Sequence, residues 1–293
     1  MTAVVAAPLC RGASRTVAER RGYILPAIHS DGPRWLLSRR GIDSPSVSRY
    51  TSCMPELWHF LHSPVGDAAT NMALDEALLR SAAERGRPLL RIYSWARPSV
   101  SIGYFQRFPA PLSDQYQIVR RPTGGGLVYH GDGVDTTYTV IVPPEHRLYT
   151  MSTADAYCAI HGAVAAACEL RGRESRSWSS LVAPHKGFAA TIPALHKAQV
   201  ASRRGSYECF QNPVHGDVVV DGRKLAGAAQ RRTKWGLLHQ GSIATDVTPD
   251  ILEYGFSNRM GVGFESYKPS VAECTLAEKL VRERYATAAW NRR

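Results

Sequence analysis

An α/β (α+β) fold is predicted for this chain by three observations. Two stretches, residues 68 to about 84 and 153 to about 170, place apolar side chains on one helical face. Around them lie short runs of strand character, several of which alternate apolar and polar residues as a half-buried strand requires. Hydrophobic residues make up 44% of the 293, ample for a core. No window approaches the roughly 18 uninterrupted apolar residues that a membrane span needs. One domain with a tail fits this length as well as two domains do.

Taken in order, residues 1–53 are rich in Arg, Ser, Ala and Pro and hold no periodic element longer than a turn or two. Their composition mimics a transit peptide, but the apolar core of a secretory signal is missing. They are read as a disordered or non-native extension, and the catalytic domain is expected to span 54–293, opening at Met54-Pro55-Glu56-Leu57-Trp58. Residues 57–63 follow as a strand. A helix from Ala68 to about Glu84 has Ala69, Met72, Ala73, Leu74, Ala77 and Leu78 on one face, and Gly86 and Pro88 end it. Strands over 89–95 and 99–104 flank a turn at Ala96-Arg97-Pro98, and residues 116–121 lead into a glycine loop ahead of an alternating strand over 136–142. Thr153 to about Leu170 is an alanine-rich packing helix whose Cys158 and Cys168 are read as core thiols. Residues 171–205, polar and basic, form a long connection. Asp217–Val220 alternates into Asp221-Gly222, a dipeptide suited to a tight hairpin turn; residues 223–230 pair back and 235–243 add a further strand. Helical material is expected over 249–254 and 271–288.

Charge and cysteine usage narrow the partners. The formal net charge is +11. The first 53 residues supply +5 of it, eight arginines against Glu19, Asp31 and Asp43, which leaves a mild +6 for the remaining 240. With no recognition motif and no dense basic run, nucleic acid is not an expected partner, whereas an acidic protein or an anionic ligand suits the excess. The six cysteines match neither a disulfide framework nor a zinc-binding pair, so a reducing, cytoplasmic compartment and no metal are expected.

The stretch around which the chain is organised is Val119–Val142, VRRPTGGGLVYHGDGVDTTYTVIV. Glycines permit positive φ and close approach of a ligand to the backbone. Successive N–H groups in such a loop can cradle a carboxylate, phosphate or carbonyl oxygen, and Arg120 or Arg121 would add a charged fork. His130 titrates in the right range for general-base chemistry, though a lone histidine is more often structural. Lys224, at the start of the returning hairpin strand, would ordinarily be a solvated surface residue, and Arg91 a surface charge on an edge strand.

The phrase RRPTGGGLVYH resembles the RRxxGGGxVYH signature of the lipoate-protein ligase A / octanoyltransferase family, which is related to the biotin protein ligases. NMALDEALL (71–79) and LRIYSWARPSVSIGYFQ (90–106) resemble that family's first helix and acyl-pocket segment, and DGRKLAGAAQRR its catalytic-lysine segment. The resemblance covers about residues 57–245. It implies a class II synthetase-like fold, a mixed and mostly antiparallel sheet flanked by helices, with the acyl chain beside the glycine loop. It also implies a catalytic Lys224, and substrate contacts from Arg91, Arg121, Thr123, Gly124, Gly125, Gly126, Tyr129, His130, Gly227 and Ala228, with Gly103 and Gln106 near the ligand.

Cys209 decides between branches. Cys209-Phe210-Gln211-Asn212-Pro213 is similar to the C-F-x-x-P phrase of the cysteine-dependent octanoyltransferases, which precedes G-R-K at this spacing. A thiolate there could take an acyl group from a thioester. The resemblance then implies transfer of an octanoyl or lipoyl group from octanoyl-acyl carrier protein, through Cys209, to a lysine of a lipoyl domain. Such domains occur in the glycine cleavage H protein and the 2-oxoacid dehydrogenase E2 subunit, and this route needs no cofactor. The alternative is an ATP- and Mg²⁺-dependent lipoate-protein ligase acting through lipoyl-AMP, with Cys209 a bystander. Ligases of the two-part type append an accessory domain that residues 244–293 do not supply, which favours transfer. A biotin ligase and a non-catalytic binder are disfavoured by the motifs.

Overall fold

Hydrogen-bonded pairing carries the predicted strand runs into two sheets. The structure, a computed structural model, describes residues 55–131, 135–176, 190–191, 214–220 and 223–293. In chain order, β1 (Glu56–His62) leads to α1 (Ala68–Arg80) and the single turn α2 (Ala82–Arg85), followed by β2 (Leu89–Tyr93) and β3 (Ser99–Ile102). Next come β4 (Gln117–Arg120), β5 (Val128–His130), β6 (Thr136–Val142), the short α3 (Arg147–Thr150) and the long α4 (Thr153–Arg176). β7 (Ala190–Thr191), β8 (Val218–Val220), β9 (Arg223–Thr233) and β10 (Gly236–Ile243) precede α5 (Pro249–Met260), β11 (Val262–Ser266), α6 (Val271–Leu280) and α7 (Ala288–Asn291).

The large sheet has the order β11-β1-β2-β6-β10-β9-β8-β7, and a small sheet has the order β4-β3-β5. β1 runs parallel to both β11 and β2, while the pairs from β2 through β6, β10, β9 and β8 to β7 are antiparallel. The mixed, mostly antiparallel sheet expected from the sequence is thus the one observed. Among the described residues no helix is long and apolar enough to cross a membrane.

β6 explains how the layers stack, because every one of its seven residues is buried. Tyr138, Val140 and Val142 join Ile160, Val164, Leu237, Leu252 and Phe256 in the core that α4 and α5 complete. Alternation sends Thr137 and Thr139 to the opposite face, toward α1. That face is polar where α1 meets it: Thr139 Oγ1 donates to Asp75 at 2.9 Å.

The structure departs from the expected elements in three places. The first helix breaks at Ser81, whose hydroxyl turns back to the Leu78 carbonyl at 3.1 Å and competes with the helical ladder. Asp67 caps its start, accepting from the Thr70 amide at 2.7 Å. β5 forms within what reads as glycine loop. The segment beyond Ile243 is not only helical, since β11 hydrogen-bonds to β1 with Glu56 opposite Val262. The Asp221-Gly222 turn lies outside the described residues, but Val220 stands opposite Arg223 as that hairpin requires.

Candidate active site

A cleft of about 370 Å³ opens on the α1 face of the large sheet, where the small sheet folds over it. Its floor is a row of residues in register across four strands: Gly227 opposite Ser242, Ser242 opposite Thr137, and Thr137 opposite Tyr93. Three strand spacings make that row about 14 Å long. Met72, Trp95 and Val128 add apolar walls, and Arg121, His130 and Gln240 supply the polar groups.

The glycine loop runs beside this cleft, which Arg121 lines while Thr123 and Gly124–Gly126 do not, and its shape is held by Arg121. The guanidinium takes the Gly124 carbonyl at 2.7 Å, the Gly126 carbonyl at 2.5 Å and the Ser101 carbonyl at 2.9 Å. In a trans peptide C=O and N–H point in opposite directions, so the clamp turns the N–H groups of Gly125 and Leu127 away from Arg121. Gly125 has φ +83°, and a side chain there would meet Arg121 and Ala229. Thr123 is buried and donates to Gln240 Oε1 at 2.8 Å, tying the loop to β10. Arg121 therefore lines the cleft as a clamp on the loop's carbonyls rather than as the open fork expected from sequence.

His130 also lines the cleft. It stacks on Trp95 with ring centroids 4.1 Å apart, and its Nε2 lies 2.8 Å from Ser101 Oγ. Burial lowers its pKa, so the ring is held neutral. Tyr129 points the other way: it is exposed and packs edge-on against Tyr116. Gln106 turns back to accept from the Gly103 amide at 2.9 Å, and neither residue lines the cleft.

Arg91 requires the largest correction. It is buried, but its fork faces α1 instead of the cleft, bonded to Asp75, to both the carbonyl and the side chain of Asn71, and to Ser63. The hub of this network is Asp75, a carboxylate that the sequence shows only as one more residue of an amphipathic helix. Besides Arg91, its carboxylate accepts from Tyr93, Thr139 and Gln240, the last at 2.7 Å. A continuous path thus runs from Arg91 through Asp75 and Gln240 to Thr123 in the glycine loop. An acidic residue inside an apolar helical face was the available signal, since a charge is buried only with a partner.

At the β9 end of the floor sits Lys224. Val218 stands opposite Ala226 but Val219 opposite Lys224, a bulge that gives β9 one extra residue and re-aims the side chain inward. Lys224 Nζ pairs with Asp217 Oδ2 at 2.9 Å, with both side chains buried. A side chain on Gly227 would occupy the space of Lys224 Cε and Nζ, so this glycine is what lets the ammonium lie against the cleft floor. Tyr157, from α4, donates to Asp217 Oδ1 at 2.6 Å and accepts from the Ala228 amide at 2.9 Å. Burial and the Asp217 charge push the Tyr157 phenol far above its ordinary range. Gly227 and Ala228 line the cleft; Cys209 lies outside the described residues.

Behind this group, His161 donates from Nδ1 to the Gly216 carbonyl at 2.7 Å, and burial lowers its pKa to about 4. A histidine kept neutral when folded contributes stability that is complete above the unfolded value of 6.5 and is lost as the pH falls toward about 4. His161 alone is expected to account for a loss on the order of 3 kcal/mol across that window. Urea unfolding at several pH values checks this, and a His161→Gln variant with an equally steep acid slope would refute it. Cys168 is the inert core thiol anticipated, its pKa pushed by burial to about 12.

The architecture is that of a lipoate-ligase-type catalytic domain. It superposes on the bipartite lipoate protein ligase of Thermoplasma acidophilum with a TM-score of 0.60, covering 80% of this chain and 95% of that one at 21% identity. The model of the lipoyl protein ligase A/B catalytic domain matches residues 67–260, and the chain belongs to that family. Among its relatives, the octanoyltransferase LipM of Oceanobacillus iheyensis is 34% identical over 207 residues, 68% of each chain. The octanoyltransferase LipM of Halalkalibacterium halodurans is 30% identical over 286 residues, covering 80% of this chain and 99% of that one.

Proposed function

We propose that this protein is an octanoyltransferase of protein lipoylation, moving an octanoyl group from acyl carrier protein to a lysine of a lipoyl domain. The observation that carries the reading is an ammonium fixed beside one end of a cleft with apolar walls: Lys224, oriented by Asp217, against Gly227 of the floor. The floor, about 14 Å long by its three strand spacings, takes an extended octanoyl chain with its carbonyl at the Lys224 end. The relatives named octanoyltransferase support the same assignment.

In the first step the Cys209 thiolate attacks the thioester carbonyl. A C–S bond forms to Cys209, the bond to the carrier's sulfur breaks, and that sulfur leaves as a thiol after taking a proton. In the second step the ε-amine of the acceptor lysine attacks the acyl-enzyme, an amide forms, the amine gives up a proton and Cys209 is released. The oxyanion that develops in each step is stabilised by Lys224 and by the outward N–H groups of the glycine loop. Arg121 and Thr123 hold the loop in shape, and His130 with Trp95 walls the acyl chain. Arg91 acts at a distance, through Asp75 and Gln240.

Intact-protein mass spectrometry tests this directly. Mixed with octanoyl-acyl carrier protein and no ATP, the wild type is expected to gain one octanoyl group that hydroxylamine removes, and Cys209→Ser to gain none. Modification of a lipoyl domain only when free lipoate, ATP and Mg²⁺ are supplied would overturn the transferase reading in favour of a ligase.

A further inference from the structure

Beyond the glycine loop, on the same face of the sheet, lies a second groove of about 460 Å³. Arg80, Arg231 and Arg284 line it together with Trp235, Pro122 and Glu76. Glu76 is the single carboxylate among three guanidiniums, and it is shared: Arg80 Nε lies 3.0 Å and Arg284 Nη1 2.7 Å from it. Arg231 donates to the Pro122 carbonyl at 2.9 Å, which places the groove directly behind Thr123. The lining therefore keeps an excess of positive charge at the edge of the candidate site.

The cations around the groove are ordered on aromatic rings. Arg80 and Lys234 lie over Trp235 at 5.0 and 5.4 Å, and Arg231 and Arg293 lie over Tyr104 at 5.0 and 3.9 Å. Arg284 and Arg293 also cover Trp290, at 4.8 and 4.0 Å. Stacking of this kind pre-organises long side chains, so less conformational entropy is lost when they meet an anion. Next to them Phe105 stands 89% exposed, an apolar anchor with nothing packed over most of it.

We infer that this groove is the docking surface for the acidic carrier protein that delivers the acyl thioester. The inference rests on the transferase reading above. Distance selects the donor over the acceptor. Arg231 lies four residues along β9 from Gly227, about 14 Å at the strand rise. A lysine side chain on its four-carbon stem spans less than half of that, so the acceptor domain has to sit at the Lys224 end. A carrier protein presents its thioester on a far longer prosthetic arm and can dock at the groove while the acyl group enters the cleft. An acidic face also meets the stacked arginines with complementary charge, which raises the encounter rate.

The test uses the full chain and two donors, octanoyl-acyl carrier protein and the small thioester octanoyl-N-acetylcysteamine. Lys234→Glu/Arg293→Glu changes two exposed residues outside the candidate site. It is expected to weaken carrier-protein binding, measured by calorimetry, at least tenfold, to lower kcat/KM with the carrier in proportion, and to leave transfer from octanoyl-N-acetylcysteamine within twofold of wild type. Arg80→Gln is expected to act in the same direction, and added salt to narrow the gap between wild type and variants. Unchanged carrier affinity in both variants, or an equal loss with both donors, would overturn the docking surface. A wild type that uses neither thioester would instead remove the transferase reading on which it rests.

Discussion

Lys224→Met is expected to slow octanoyl transfer by about 10²–10³-fold, the usual consequence of removing one donor to a developing oxyanion. The loss should fall on both half-reactions, since each passes through a negatively charged carbonyl oxygen in the same place. Single-turnover formation of the acyl-enzyme and its discharge onto a lipoyl domain measure the two separately. Lys224→Met also leaves Asp217 buried without its counter-ion, its partners among the described residues then being Tyr157 and the Val214 amide. A Lys224→Met/Asp217→Asn double variant removes that charge: its stability is expected to recover while its activity does not. If activity recovers along with stability, Lys224 is a structural cation and its assignment to the chemistry fails.

The second large effect is on stability. Asp75→Asn keeps the shape of the side chain but leaves the Arg91 guanidinium buried without a charge partner, and is expected to cost about 3–5 kcal/mol. The pair itself need not be worth that much, because most of the cost lies in stranding one ion. Asp75→Leu/Arg91→Met, which removes both, should therefore be distinctly less damaging than the sum of its parts, as coupled neighbours behave. Urea denaturation of Asp75→Leu, of Arg91→Met and of the double completes the cycle. Additive costs would show that Asp75 and Arg91 act independently, against the direct contact between them.

What was legible in the sequence was whatever depends on local pattern. The amphipathic first helix, the alternation in β6 and the hairpin around Asp221-Gly222 each follow from period and turn chemistry, and the cleft-lining Gly227 and Ala228 follow from the motif around Lys224. What was not legible depends on contacts distant in sequence. Asp75 could be seen as a charge on an apolar face, but not that β2, β6 and β10 all aim side chains at it. Arg121 and Arg91 were recognisable as arginines near the motifs; whether such a fork is open or spent is decided by how the loop folds back in one case and by α1 in the other. The bulge at Leu225 leaves no mark in the composition, since it arises where β8 and β9 fall out of register.

The pairing of β1 with β11 bears on how this protein acquires its structure. Glu56 and Val262 are neighbours in the sheet although two hundred residues of chain lie between them. Arg120, which leads into the glycine loop, is likewise held by Asn291 and by the indole of Trp290. Contacts of such long range form late, because the entropy of closing the loop has to be lost before they repay it. A chain emerging from the ribosome therefore carries β1 as an unpaired parallel edge, and the strand before the glycine loop unbraced, until residues 262–291 have been made. Such an edge is open to pairing with other chains, so the interval before residues 262–291 emerge is when this molecule is most exposed to wrong pairing.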